Sequence, residues 1–143
     1  AYTTEIDVKK LAESDHQETI DVTPGIFQEL IETSYELRVT VVGTEVFAVR
    51  IETPDDYKDN TDWRVSIFKN KYTKTSLDIT LESILLEYHK KLGLYFAAYD
   101  FIVDKNENVF FLEVNPSGQW MWLEQELDLP ISKSIAQGLI NNR

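Results

Sequence analysis

Two apolar segments joined by a short polar connector constrain the fold of this chain most strongly. Residues 97–103 read AAYDFIV and residues 109–114 read VFFLEV, with DKNEN between them. Aromatic and β-branched residues of this kind are typical of strands, and the short connector predicts a β-hairpin. A carboxylate nevertheless interrupts each apolar run, Asp100 in the first and Glu113 in the second.

A hairpin places these two carboxylates side by side. If residues 105–108 form a four-residue loop, Asp104 pairs with Val109 and Asp100 pairs with Glu113. Asn115 then lies on the same face, because side chains alternate along a strand. Paired Cβ atoms lie about 4.5–5.5 Å apart, and two like charges at about 4 Å repel by roughly 4 kcal/mol at an effective dielectric constant of 20.

This repulsion predicts either a carboxyl group that keeps its proton or a cation between the two side chains. Two carboxylates and an amide oxygen form the all-oxygen donor set that suits Mg²⁺. The alternative is that Asp100 and Glu113 both face solvent at a sheet edge.

A second hairpin is predicted around Gly43-Thr44, between residues 35–42 and 45–52. With a two-residue turn, Arg50 pairs with Leu37 and lies on the face opposite Arg38. Weaker strand patterns occupy residues 27–32 and 63–68.

Two helices are expected. The first begins at Thr80 as N-cap and ends at Gly93, and the second covers residues 132–141. The apolar residues predicted to face inward are Leu81, Ile84, Leu85, Tyr88 and Leu92 in the first helix, and Ile131, Ile135 and Leu139 in or beside the second. The predicted fold class is α+β, an antiparallel sheet of hairpins with helices packed on one side.

Charge and composition exclude several classes of function. The chain has 143 residues, enough for about one domain, and a net charge of −11, which argues against nucleic-acid or anionic-membrane binding. It has no Cys and two His, which excludes disulfides, thiolate nucleophiles and Cys-ligated zinc. Since it has neither a signal peptide nor an 18-residue apolar run, a cytoplasmic location is expected.

The segment DFIV…FFLEVNPSGQW resembles the ATP-grasp superfamily of carboxylate ligases, and the tail NPSGQWMWLEQELDLPISKSIAQGL is similar to the microviridin-type, or graspetide, peptide maturases. The resemblance implies ATP and Mg²⁺ as cofactors, with Asp100, Glu113 and Asn115 as metal ligands. It further implies an acyl-phosphate intermediate and a ribosomal precursor peptide as partner, cross-linked through ester or amide bonds. A homodimer is compatible with this resemblance.

The same resemblance assigns further residues to the nucleotide. Arg38 and Arg64 match arginines on the phosphate side, and Glu36 matches the acidic residue on the ribose. The remaining positions match the strand that receives adenine: Gln28, Glu29, Leu30 and Ile31.

The resemblance also implies a division of the chain. Residues 1–24 match an N-terminal arm left from the preceding ATP-grasp subdomain, and residues 25–143 match the C-terminal catalytic domain. Phosphate-gripping lysines of the family precede the adenine strand, so the chain alone is expected to be inactive and the rest of the enzyme to be its partner. Two alternatives remain open: a ligase that adds an amino acid to another carboxylate, and a non-catalytic nucleotide- or peptide-binding module.

Overall fold

The structure is a computed structural model that describes residues 27–54 and 69–141. Within these ranges the chain forms five strands and three helices. In chain order they are β1 (Thr33–Val42), β2 (Glu45–Glu52), β3 (Lys71–Thr75), α1 (Ile79–Lys91), β4 (Phe96–Asp104), β5 (Val109–Asn115), α2 (Met121–Leu127) and α3 (Ile131–Asn141).

The strands form one sheet in the order β3-β2-β1-β4-β5, and every neighbouring pair is antiparallel. The predicted hairpin at Gly43 is confirmed. This glycine has φ 61° and donates its N–H to the Tyr95 carbonyl at 2.7 Å. The predicted pairing of Leu37 with Arg50 is confirmed as well.

The strand expected at residues 27–32 is absent, because these residues form neither strand nor helix and β1 begins only at Thr33. Phe27 and Leu30 are largely exposed, so their apolar character does not reflect a place in the core. The expected strand at residues 63–68 lies outside the described residues. Strand β3 was not predicted, because its sequence KYTKT lacks an apolar alternation.

The helices cover both faces of the sheet. Helix α1 packs on the face that carries Val39, Tyr99 and Phe101, which we call the α1 face. Helices α2 and α3 pack on part of the opposite face through Leu123 and Ile131. The predicted α+β class with its antiparallel sheet is confirmed, but the placement of the helices on one side is not.

The physical reason for cover on both faces lies in the central strands. Strand β1 is buried at every position from Leu37 to Val42, on both faces, and such a strand needs packing partners on each side. The continuous apolar runs in the sequence are therefore the signature of a doubly covered sheet.

Helix α1 begins two residues earlier than predicted. Its N-cap is Asp78, whose carboxylate accepts the Thr80 N–H at 2.8 Å, so Thr80 lies inside the helix. The end at Gly93 is confirmed. Its φ is 66°, Gly93 N–H bonds to the Lys90 carbonyl at 3.0 Å, and Leu94 N–H bonds to the His89 carbonyl at 3.4 Å, which together form a Schellman motif.

The buried positions of the helices differ from the predicted ones. In α1, Leu85 and His89 are buried, whereas Ile84 is 60% exposed. In α3, Ile131, Ser134 and Gly138 are buried, whereas Leu139 is 66% exposed. A count of apolar residues misses the inward face of these helices, because some of the buried positions hold a polar His or a small Gly. Within residues 27–54 and 69–141 no helix is long and apolar enough to cross a membrane.

Candidate functional site

The β4–β5 hairpin positions the two central carboxylates, and its turn differs from the predicted loop. Glu107 adopts φ 61°, and the Asp104 carboxylate accepts the N–H groups of Asn106 at 2.8 Å and Asn108 at 2.9 Å. Next to this turn Val103 pairs with Val109, so the predicted pairing of Asp104 with Val109 is wrong. Asp104 N–H donates to the Asn108 carbonyl at 3.1 Å, so the turn consists of the three residues 105–107 instead of the predicted four, and the register next to it shifts by one residue.

A β-bulge then brings the site residues into register. Phe101 pairs with Phe111, whereas the next residue, Asp100, pairs with Glu113, so that Leu112 is the extra residue. The predicted pairing of Asp100 with Glu113 is therefore confirmed. Without the bulge Leu112 would oppose Asp100, and Glu113 would point to the α1 face.

Three charged side chains form one row across the sheet. Arg38 on β1 pairs with Asp100 on β4, which pairs with Glu113 on β5. Asn115 lies in the next row, opposite Ala98. We call the face that carries this row the site face, and Arg38–Asp100–Glu113 the charged row.

Arg38 and Asp100 form a nearly buried ion pair, which sequence reasoning did not predict. Arg38 Nη1 donates to both carboxylate oxygens, at 2.8 and 2.7 Å, and the two side chains are 9% and 14% exposed. Arg38 Nη2 donates to the Gln119 carbonyl at 3.2 Å. Arg38 Nε is buried without a partner among the described residues, which typically costs about 1–3 kcal/mol.

The segment after β5 closes over this ion pair. The Asn115 side-chain oxygen accepts the Ser117 N–H at 2.9 Å, and Gly118 is buried above the strands. A methyl group on Gly118 would lie 2.9 Å from Arg38 Nη2 and would overlap Ala98. Glycine is thus required here by close approach, and its neighbour Gln119 can hold the guanidinium from above.

The residues assigned to adenine lie at the other end of the site face. Gln28, Glu29 and Leu30 are exposed and Ile31 is half-buried. A groove of about 360 Å³ runs between residues 29–32 and the β4–β5 hairpin, and it includes Phe110. Lys105 Nζ donates to Glu32 at 2.6 Å and ties the two sides of this groove together.

Glu36 lies between the groove and the charged row. It is on the same face as Arg38, two residues earlier in β1, and pairs with Ile102 of β4. The structure therefore brings together, along one face, the groove, Glu36, the charged row and Asn115.

Phe110 was missed as a groove residue because an aromatic residue in an apolar strand has no distinguishing pattern. Arg64 lies outside the described residues.

The oxygen donors on the site face fit a hard divalent cation. Asp100 and Glu113 are direct partners, and the Asn115 amide is one row away, so carboxylate and amide oxygens face the same space. The described part of the chain contains no group of three or more His, Asp and Glu able to hold a metal. A metal here would therefore need the Asn115 oxygen and further ligands from phosphate or water.

Residues 4–139 match the RimK-like ATP-grasp domain. The fold is similar to a RiPP-associated ATP-grasp ligase of Chryseobacterium gregarium, solved in complex with ADP and a leader and core peptide, at a TM-score of 0.87 and 31% identity. That match covers 100% of this chain and 43% of the ligase.

A second similar structure is macrocyclase MdnC of Microcystis aeruginosa, bound with precursor peptide MdnA, at a TM-score of 0.81 and 35% identity. It covers 99% of this chain and 43% of MdnC. The ATP-grasp ligase PsnB has the same fold at a TM-score of 0.77 and 22% identity. A search of curated proteins finds no match. The chain therefore spans less than half the length of these ligases.

Proposed function

The chain belongs to the RimK-like ATP-grasp domain family, and on that premise we propose that it forms the metal- and nucleotide-binding C-terminal part of a peptide ligase. The observation that carries this proposal is the pairing of Asp100 with Glu113 beside Arg38. Glu113 is exposed on the edge strand β5, so its carboxylate can take up a divalent cation beside the nearly buried Arg38–Asp100 pair.

The layout of the site face suits an extended nucleotide. The base would lie in the groove against residues 28–31, and Glu36 would accept hydrogen bonds from the sugar hydroxyls. Two residues along a strand span roughly 6.7 Å, so the charged row is one such step beyond Glu36. Arg38, with Arg64 from outside the described residues, would bind the phosphates, and Asp100, Glu113 and Asn115 would hold Mg²⁺.

The proposed reaction is the activation of a carboxylate. A carboxylate oxygen attacks the γ-phosphorus of ATP, the bond to the β-phosphate oxygen breaks, and acyl phosphate and ADP result. A hydroxyl or amine then attacks the acyl carbon, loses its proton and releases phosphate, which leaves an ester or an amide.

In such reactions catalysis consists mainly of positioning and neutralisation of charge. Bound Mg²⁺ supplies neutralisation of the phosphate oxygens. The guanidinium of Arg38 would orient the transferred phosphoryl group, and Glu36 would fix the nucleotide along the strand.

We propose a ribosomal precursor peptide of the microviridin type as substrate. Support comes from the two solved relatives at 31% and 35% identity, whose structures contain a leader and core peptide and a precursor peptide, respectively. Because this chain spans 43% of each, peptide binding and turnover are proposed for a longer enzyme in which residues 25–143 would form the catalytic domain. The partners would be the peptide and the remainder of that enzyme.

Calorimetric titration of ADP into the chain, with and without Mg²⁺, tests the metal site. We expect binding that requires Mg²⁺ and that falls at least tenfold in Glu113→Gln, since a hydrogen bond to a charged group contributes about 1.5–3 kcal/mol. The matched control is Glu82→Gln, a half-buried glutamate in the first turn of α1.

Equal loss in both variants would argue against a site at Glu113. If the chain alone does not bind ADP, the same comparison in a longer form of the enzyme decides the matter. Metal-independent binding there would contradict the proposal.

A further inference from the structure

We propose that Arg38 is a mobile counter-ion that neutralises Asp100 until a divalent cation binds, and that then turns to the anionic ligand. The inference rests on the proposed function, because it concerns the same row. It adds a coupling between metal and anion that the metal ligands alone do not provide. One carboxylate, that of Asp100, would be shared in succession by two cations.

The first argument is that the Asp100 carboxylate already has a cationic partner. Both of its oxygens accept from Arg38 Nη1, at 2.8 and 2.7 Å, and the side chain is largely buried. A cation that binds between Asp100 and Glu113 must therefore displace this guanidinium or share the carboxylate with it. Metal binding in the absence of an anion would be opposed by the loss of the ion pair.

The second argument is the geometry of the ion pair. An arginine and a carboxylate bind most strongly through two parallel N–H···O bonds from two nitrogens. Here a single nitrogen, Nη1, serves both oxygens, and Nε is buried without a partner among the described residues. The guanidinium therefore has an unused donor, which a phosphate oxygen could reach only after the contact with Asp100 opens.

The third argument is a further hydrogen bond that holds the guanidinium of Arg38. Arg38 Nη2 donates to the Gln119 carbonyl at 3.2 Å, and the close approach of Gly118 holds that segment in place. When the contact with Asp100 opens, this bond would keep the guanidinium at the row rather than releasing it to solvent. The side chain would pivot about a fixed point.

The charges of the row predict mutual assistance between metal and anion. Arg38, Asp100 and Glu113 sum to one negative charge, so a divalent cation alone leaves an excess of positive charge. An anion that takes up Arg38 removes this excess. By linkage, the factor by which the anion strengthens metal binding equals the factor by which the metal strengthens anion binding.

The test uses Mn²⁺ as metal probe, followed by water-proton relaxation, with and without ADP. Arg38→Gln, which is neutral, should tighten Mn²⁺ binding without ADP by about tenfold, since it removes both a competitor and a nearby positive charge. Arg38→Lys, which keeps the charge, should stay within about threefold of wild type. In Arg38→Gln the enhancement of Mn²⁺ binding by ADP should fall.

Arg50→Gln is the matched control, because it removes the same charge from the α1 face, where Arg50 pairs with Glu52 and lies over Tyr35. It should leave Mn²⁺ affinity unchanged within about twofold, as expected for a distant, screened charge. Equal tightening in Arg50→Gln and Arg38→Gln would overturn the inference, because it would reduce the effect to net charge.

Should Arg38→Gln not fold, ¹⁵N spectra of the arginine side chains in the wild-type chain give the answer. Addition of Mg²⁺ with ADP should move the Arg38 resonance, and an unmoved resonance with saturated metal would overturn the inference.

If wild type binds Mn²⁺ with ADP but Arg38→Gln does not gain affinity, the proposed function stands and this coupling fails. If the longer enzyme binds no metal with ADP, both fail.

Discussion

The two faces of the sheet carry different chemistry on the same strands. The α1 face carries Val39, Tyr99 and Phe101 under helix α1, and its polar pair, His89 and Tyr99, is sealed inside. The site face carries Arg38, Asp100 and Glu113 from the alternate positions of β1, β4 and β5. Neighbouring residues of one strand thus contribute either to the packing under α1 or to the charged row.

This division shows why a charged row is tolerated in the middle of a sheet. Side chains alternate between the two faces, so the charged row leaves the apolar packing of the α1 face undisturbed. On the site face Arg38 and Asp100 form an ion pair, and Glu113 is exposed. Helices α2 and α3 pack against an apolar part of the same face that includes Val42, Val49 and Ile51.

The largest expected difference between the faces is in stability. Leu85→Ala on the α1 face should lower the free energy of unfolding by about 3 kcal/mol, because it leaves a cavity where a side chain only 3% exposed packs on the sheet. Glu113→Ala on the site face should change it by less than about 0.5 kcal/mol, since that side chain is exposed. Urea denaturation of both variants measures this, and comparable losses would contradict the division.

A smaller loss of stability is expected at Gly118, in the segment after β5 that lies over the site face. Gly118→Ala should lower stability by about 2 kcal/mol, because the added methyl overlaps Ala98 and Arg38. It should also weaken Mg²⁺-dependent binding of ADP. Gly93→Ala is the control: its φ is 66° but nothing lies within 4 Å, so it should cost about 1 kcal/mol and leave ADP binding intact. A reversed order in the melting temperatures would contradict the close approach.

The smallest effect concerns the α1 face alone. Burial raises the pKa of Tyr99 to about 12, and its hydroxyl shares a hydrogen bond of 2.7 Å with His89 Nδ1. Burial also lowers the pKa of His89 below its ordinary value. The unfolded chain therefore takes up a proton first as the pH falls below about 6.5, and stability decreases there.

We expect a loss of about 1 kcal/mol between pH 7.5 and 5.5, with the full contribution present above the unfolded pKa of about 6.5. Urea denaturation of wild type and His89→Gln at both values measures it. The variant should show a flatter dependence, and an equally steep one would assign the effect to other groups.

The hairpins could be predicted from the sequence, because their partners are close along the chain. The pair Asp100–Glu113 was predicted correctly even though the turn was not, since the bulge at Leu112 restores the register that the shorter turn shifts. Nothing in the run VFFLEV marks the bulge, because apolar residues fill both alternating positions.

The pair Arg38–Asp100 could not be predicted by the same rules. It depends on β1 lying next to β4, a contact between residues 62 positions apart that no local pattern encodes. The placement of the helices failed for a related reason, since periodicity tells which side of a helix is apolar but not which face of the sheet receives it.

The charged row crosses β1, β4 and β5, the strands that also hold the core, and this ties occupancy of the site to persistence of the whole fold. A ligand that binds only the folded row adds about 2.7 kcal/mol to the free energy of unfolding at a hundredfold excess over its dissociation constant. Because the three strands separate together, that protection should slow hydrogen exchange at amides beneath α1 as well as beside the ligand. Two faces with different chemistry would then share one opening equilibrium.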